Sequence, residues 1–192
     1  MTAEIRKFNL IQARNIAEWI AQTLSPFVQR IEIVGSIRRR RPKVKDIEVL
    51  FIPKYTIKAA DLFSLQASEM HDCADAIINT LVAQGVIAKR TKTNDQITWG
   101  KQNKLAVHIE TGIPVDFFAT TEDKWWNALV VRTGGKMTNI RIAELAQKKG
   151  YSLEAGGTGF RGLDGQEHYQ TTSEADVFKF VGLPFLSPSQ RP

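Results

Sequence analysis

Apolar residues recur with the period of a helix at Ala13, Ile16, Ala17, Ile20 and Leu24, with mostly polar positions between them. Ser25-Pro26 follows, and a proline pushes the residue before it out of the α region, so the pattern predicts a first helix over residues 9–24. The period then falls to two. Ile31 and Ile33 alternate with Arg30 and Glu32, which predicts a strand running into Gly35-Ser36, a tight turn with a good helix-capping residue, and then a short helix. Asp46-Ile-Glu-Val-Leu-Phe-Ile52, closed by Pro53, reads as a second strand. Helical spacing returns with Met70, Cys73, Ala74, Ile77, Ile78, Leu81 and Val82 and stops at Gly85, predicting one amphipathic helix over 69–84 with a left-handed glycine cap.

Short strands are expected next at 96–99, 105–110 and 113–119, the last two joined by a Thr111-Gly112 turn. From Thr121 the texture is helical, at about 121–131 and 136–149. A Gly-rich passage from Ala155 to Gly165 then reads as a hairpin or loop. The last helix opens at Ser173, with Asp176 three residues on as a capping arrangement, and ends before Gly182 and Pro184. The change at residue 120 predicts two lobes, 1–120 and 121–192, in an α/β (α+β) fold: a mixed or antiparallel sheet with helices, then a smaller, mainly helical lobe.

Composition narrows the class. The chain has 192 residues, 43% of them hydrophobic and 24% charged, and no apolar run approaches the ~20 residues of a membrane helix, so a folded protein with no membrane partner is expected. The first ten residues lack a secretory h-region and the single Cys73 forms no internal disulfide, which points to the cytoplasm. His71, His108 and His168 lie far apart without zinc spacing. A net charge of +6 favours polyanionic partners, and six of the nine residues from Ile37 to Lys45 are basic.

That basic block directly precedes Asp46 and Glu48, which are two apart on a strand and leave the same face, about 7 Å apart at the α-carbons. Asp116 lies in the apolar strand Ile113-Pro-Val-Asp-Phe-Phe118, where a carboxylate is expensive to bury unless it is paired or metal-bound. If the two strands are neighbours, three hard oxygen donors converge at a sheet edge. That set suits Mg²⁺ shared with substrate phosphates and in-line phosphoryl or nucleotidyl transfer. Each piece also has a plainer reading: a solvated strand face for the pair, a turn cap for Asp116, a charged surface for Arg38–Arg41. The order is more telling. Gly35 lets backbone approach a phosphate, Ser36 offers a hydroxyl, and Arg39 can clamp phosphate oxygens.

The run Gly35-Ser-Ile-Arg-Arg-Arg-Arg-Pro-Lys-Val-Lys-Asp46-Ile-Glu48 resembles the signature of the nucleotidyltransferase superfamily, and specifically of family X DNA polymerases. Val115-Asp116-Phe-Phe is similar to the strand supplying their third metal carboxylate. Trp125 to Arg141 is similar to their helix, Thr-Gly-Ser turn and next helix, and Gly182-Leu-Pro-Phe-Leu-Ser-Pro to their carboxyl-terminal ending. The resemblance covers nearly the whole chain. It implies a nucleotidyltransferase palm (1–120) and a polymerase-beta-like thumb (121–192), and a repair-type DNA-directed DNA polymerase extending primer ends or short gaps.

By the same resemblance Asp46, Glu48 and Asp116 are the catalytic metal ligands, holding two Mg²⁺ ions that Mn²⁺ can replace, with Asp116 also near the primer hydroxyl. Gly35, Ser36 and Arg39 would bind the dNTP triphosphate. Thr133, Gly134, Gly135 and Asn139 would line the sugar and base pocket, and the turn would contain a cis peptide. Arg141, Lys148 and Lys149 would meet the phosphates of primer-template or gapped DNA. A monomer is expected. So is a minimal form without the family's lyase domain and helix-hairpin-helix fingers, because the palm motif begins about thirty residues into the chain. Glu48 stands for a more usual aspartate, Lys45 for a glycine, Gly135 for a serine, and Val131-Arg132 for an aromatic pair. A template-independent nucleotidyltransferase and an inactive DNA-binding module are the alternatives, which primer extension separates.

Overall fold

The computed structural model describes residues 6–58, 69–91 and 96–192. In chain order the elements are β1 (Phe8–Asn9), α1 (Leu10–Leu24), β2 (Val28–Ile33), the single turn α2 (Gly35–Arg38), β3 (Lys43–Val44), β4 (Ile47–Pro53), β5 (Tyr55–Lys58), β6 (Glu69–Asp72), α3 (Cys73–Ala83), β7 (Ile87–Lys89), β8 (Asn103–His108) and β9 (Pro114–Ala119). The second half adds α4 (Trp125–Thr133), α5 (Lys136–Lys148), β10 (Tyr151–Leu153), β11 (Gly159–Gly162), β12 (His168–Gln170) and α6 (Glu174–Phe180).

The first helix forms as its pattern predicts. Asn9 caps it by accepting the Ile11 amide at 2.8 Å, and Ala13, Ala17, Ile20 and Leu24 are buried. The central sheet has the order β2-β4-β9-β8-β7, with β4 and β9 parallel and the other pairs antiparallel. Period two then sorts the residues of β4. Val49 and Phe51 join the core under α1 and α3, whereas Leu50 and Ile52 face Val34, Phe118, Trp125 and Leu129. Glu48 belongs to the second set by parity, so the strand that builds the core also aims a carboxylate at the α4 side.

Two expectations are corrected. Residues 69–72 form β6, pairing with β5 so that Met70 opposes Ile57 and lies 68% exposed; the helix starts only at Cys73, where Asp72 caps it by accepting the Asp75 amide at 2.9 Å. Cross-strand bonds satisfy those four residues, and a capping side chain fixes the start that the stripe left open. The strand expected at 96–99 makes only isolated bridges, Thr91 with Ile97 and Trp99 with Lys104, because the chain turns back at Gly100, whose amide donates to Asn103 at 2.9 Å.

Past Ala119 the chain enters a short 3-10 turn, Glu122–Lys124, and α4 follows to Thr133. The Gly-rich passage becomes the middle of a three-stranded antiparallel sheet, β10-β11-β12, whose Phe160 is fully buried and stacks on Phe180 with ring centroids 4.2 Å apart. Ser173 caps α6 by accepting the Asp176 amide at 3.0 Å, as its spacing predicts. Trp125 and Leu129 of α4 pack on the central sheet while Val130 joins Ile142, Val177 and Phe178. One helix therefore ties the two halves together. No helix among the described residues is long and apolar enough to cross a membrane.

Candidate active site

Because β4 and β9 run parallel in the register that sets Ile47 against Val115, Glu48 stands directly opposite Asp116; Asp46 precedes β4 with the same parity. By register and parity all three carboxylates stand on the α4 side of the sheet. Burial, with Asp46 and Asp116 beside it, pushes the Glu48 carboxyl up to about 8. Burial likewise raises Asp46 and Asp116 above the ordinary aspartate value, opposed mainly by the charge of Arg90. Arg90 Nη2 donates to Asp116 Oδ1 at 2.6 Å. From the other side, the Arg132 guanidinium lies 3.7 Å over the Phe118 ring and within electrostatic reach of Glu48 and Asp116.

Gly35 is required where it stands. Its φ is +64°, and a Cβ there would fall 1.7 Å from Glu48 Oε2, so only glycine lets α2 lie against that carboxylate. Next to it the Ser36 hydroxyl is buried without a hydrogen-bond partner. Arg39 donates to the Thr133 carbonyl and keeps a buried, unpartnered Nε; burial lowers its affinity for its proton, against the pull of Glu48. Arg38 donates to Thr133 Oγ1 at 2.7 Å and, with both terminal nitrogens, to Glu174 at 2.8 and 2.9 Å.

The turn after α4 closes the other wall. Gly134 has φ +69°, the Gly134–Gly135 peptide is cis, and Asn139 holds the turn through its amide to the Gly135 carbonyl at 3.0 Å and its Nδ2 to the Val131 carbonyl at 2.8 Å. Asn139 Oδ1 has no partner. Gly135 lies against the chain's last residue: a Cβ would meet the Pro192 oxygen at 1.7 Å.

Gly35 thus lies against Glu48, and Arg39 runs from electrostatic reach of Glu48 and Asp46 to Thr133 and Gly134, while Gly135 and Asn139 complete that turn, with no contact to the carboxylates among those described. Arg141 and Lys148 do not join them; both are exposed on α5, with Arg141 3.9 Å from Glu144. Lys149 donates to the Phe180 carbonyl. Sequence reasoning missed Arg90, and it missed Glu174 and Arg191, which tie Arg38 and Arg41 to the carboxyl-terminal segment. No local pattern marks them.

As placed, no three His, Cys, Asp or Glu side chains among the described residues are gathered closely enough to hold a metal ion. The donor set nevertheless fits one. Three carboxylates held together by strand register and pushed toward protonation by burial and mutual repulsion call for cations, and the orphaned Ser36 hydroxyl and Arg39 Nε offer donors to an anion beside them.

Residues 128–192 match the DNA polymerase beta thumb family. Over 187 residues the chain is 26% identical to the DNA polymerase/3'-5' exonuclease PolX of Bacillus subtilis (strain 168), covering 96% of this chain and 28% of that protein. Over 85 residues it is 33% identical to DNA polymerase lambda of Arabidopsis thaliana, covering 40% of this chain and 16% of that protein. It therefore spans less than a third of the length of these curated relatives. In fold it is similar to Leishmania infantum polymerase beta in a ternary P/T complex, with a TM-score of 0.70 and 18% identity over 97% of this chain and 77% of that one. The ternary gap complex of the same polymerase gives a TM-score of 0.69 at 18% identity, over 97% of this chain and 71% of that one. The carboxyl-terminal third of the chain thus matches the DNA polymerase beta thumb family, and the whole, with the Gly35-Ser36 turn and the paired acidic strands on its mixed sheet, is similar to family X DNA polymerases in sequence and has the polymerase beta fold.

Proposed function

We propose that the chain is the palm (1–120) and thumb (121–192) of a DNA-directed DNA polymerase that adds dNTPs to a primer 3′-end or short gap by two-metal nucleotidyl transfer. The observation that carries this reading is the register of Glu48 against Asp116, with Asp46 beside them and Gly35-Ser36 packed on Glu48.

Asp46, Glu48 and Asp116 would hold two Mg²⁺ ions, with Mn²⁺ as a substitute. Such ions, when bound, neutralise charge developing on the transferred phosphoryl group and acidify the attacking hydroxyl. The protein's own share is placement. Ser36 donates its free hydroxyl, and Arg39 its free Nε, to the triphosphate; Arg39 sits between that position and the Thr133 carbonyl. Thr133, Gly134, Gly135 and Asn139 form the wall against sugar and base, with the Val131 carbonyl pinned by Asn139. Arg141, Lys148 and Lys149 meet DNA phosphates, which position a duplex without reading it. The similar polymerase beta structures are a P/T complex and a gap complex, which supports primed or gapped DNA as the substrate. A monomer inside the cell is part of the proposal.

Primer extension with each dNTP separately, on single-stranded, primed and gapped DNA with Mg²⁺ or Mn²⁺, tests it. Incorporation that follows the templating base is expected. Incorporation indifferent to template would make the chain a terminal transferase, and duplex binding with no incorporation in either metal would make it a binding module.

A further inference from the structure

Arg90 stands one residue past β7, at the far edge of the central sheet, and its amide donates to the Leu105 carbonyl at 2.9 Å. Leu105 in turn is the cross-strand partner of Asp116. The arginine arm therefore crosses one strand and ends on the carboxylate, Nη2 to Oδ1, with one-third of the Arg90 side chain exposed and Asp116 mostly buried. Arg90 Nε is buried without a partner, so the guanidinium is spent on a single oxygen rather than on a full bidentate fork.

The other cations near the site are placed differently. Arg132 faces Asp116 from α4 with its guanidinium over the Phe118 ring, and Arg39 donates to Thr133. Lys45 reaches Asp46 only through its charge. Of the basic groups facing the trio, Arg90 is the one with a direct hydrogen bond to it in the contacts described. Charge balance gives that contact a consequence. Three carboxylates carry at most three negative charges, two divalent ions would bring four positive ones, and a guanidinium on one ligand oxygen opposes the second ion.

We propose that Arg90 is the resident counter-cation of this site: it holds Asp116 Oδ1 when no divalent ion is bound, and an ion at that carboxylate loads in competition with it. This rests on the assignment of Asp116 as a metal ligand. Arg90 is here a positioning residue. It keeps the carboxylate in the site while the site is empty, and it sets how much divalent ion is needed to fill it.

The test is Mn²⁺ titration of the full chain without DNA, followed by the paramagnetic resonance of free Mn²⁺, for the wild type, Arg90→Gln, Arg90→Ala and Arg90→Lys. Removing the charge should tighten Mn²⁺ binding by about tenfold in the Gln and Ala variants, while Lys, which keeps the charge, stays near wild type. Thermal unfolding supplies the second readout. In EDTA the neutral variants should melt below wild type, and saturating Mn²⁺ should close most of that gap; a purely structural arginine would leave the gap unchanged. Mn²⁺ binding that is unchanged or weaker in both neutral variants overturns the proposal, provided the wild type binds Mn²⁺ and extends primers. If the wild type neither binds Mn²⁺ nor extends primers, the polymerase reading itself fails, and this inference with it.

Discussion

Replacing Glu174 with alanine should unfold the seam between the two halves of the molecule. Glu174 opens α6 and accepts two hydrogen bonds from Arg38 of α2, at 2.8 and 2.9 Å, and a third from Arg191 at 3.0 Å. Its side chain is 12% exposed, that of Arg38 17% and that of Arg191 0%. Truncation strands two guanidiniums. Removing one partner of a buried ion pair costs about 3–5 kcal/mol, and because Glu32 stays 3.4 Å from Arg38 the lower end applies here. For a chain of this length that corresponds to a fall of roughly 6–12 °C in melting temperature.

The two arginines are not equivalent. Burial opposes the charge of both, but Glu174 and Glu32 outweigh it at Arg38, whereas burial wins at Arg191, whose Nη2 has no partner. Arg191→Met, which keeps the packing on Phe178 and Phe185, should therefore destabilise by less than half as much as Glu174→Ala. Burial alone would raise the Glu174 pKa, yet the hydrogen bonds of Arg38 and the charge of Arg191 bring it below the ordinary 4.5. A depressed folded-state pKa stabilises above the unfolded value, so this contribution is complete above pH 4.5 and disappears as the pH falls from there through the folded value. Urea unfolding of the wild type, Glu174→Gln and Glu174→Ala at neutral pH and below pH 4.5 checks both statements. Equal midpoints for wild type and Glu174→Ala at neutral pH would refute the reasoning, as would parallel acid profiles for wild type and Glu174→Gln.

Asp116→Ala should abolish nucleotidyl transfer and leave duplex affinity, measured by fluorescence anisotropy, nearly intact, since that affinity comes from basic groups on phosphates; equal loss of both would remove Asp116 from the reaction. Arg39→Ala should lower kcat/KM for dNTP more than tenfold in steady-state kinetics, through the lost charge-assisted contact. Arg41 donates to the Arg191 carbonyl at 2.5 Å, so Arg41→Ala should cost about 1 kcal/mol of stability, read by urea unfolding, with an unchanged KM. Gly135→Ser, the residue that the resemblance favours, should lower the melting temperature through its clash with Pro192 by the equivalent of about 1–3 kcal/mol, and an unaltered melting curve would show that the last residue yields without cost.

What is legible in the sequence has a local cause. Alternation in 46–52 and 113–119 sets which faces are buried, and a carboxylate at an inward position of such a strand has few explanations, so the sequence alone marks Asp46, Glu48 and Asp116 as candidates. Caps at Ser173 and the glycine at 35 are likewise decided within a few residues. The failures have the opposite character. At 69–72 an apolar stripe fits a helix and a ribbon equally, and pairing with β5 decides between them. Gly135 invited a reading in terms of its own turn, but the atom that forbids a side chain there belongs to Pro192. Arg90 meets Asp116 across a separation of 26 residues and Arg38 meets Glu174 across 136, and no periodicity records such pairs. The basic block shows what this does to a functional reading. From the sequence Arg38 to Arg41 reads as a charged surface with Arg39 as a phosphate clamp, yet Arg38, Arg39 and Arg41 are turned inward, to Glu174, the Thr133 carbonyl and the Arg191 carbonyl, and Arg40 alone of the four is exposed. On the proposed function, a triphosphate arriving at Ser36 would meet guanidiniums that already tie α2 to the second half of the chain. Nucleotide affinity and the fit between the two halves would then draw on the same side chains, and a substitution in the block has to be measured for both.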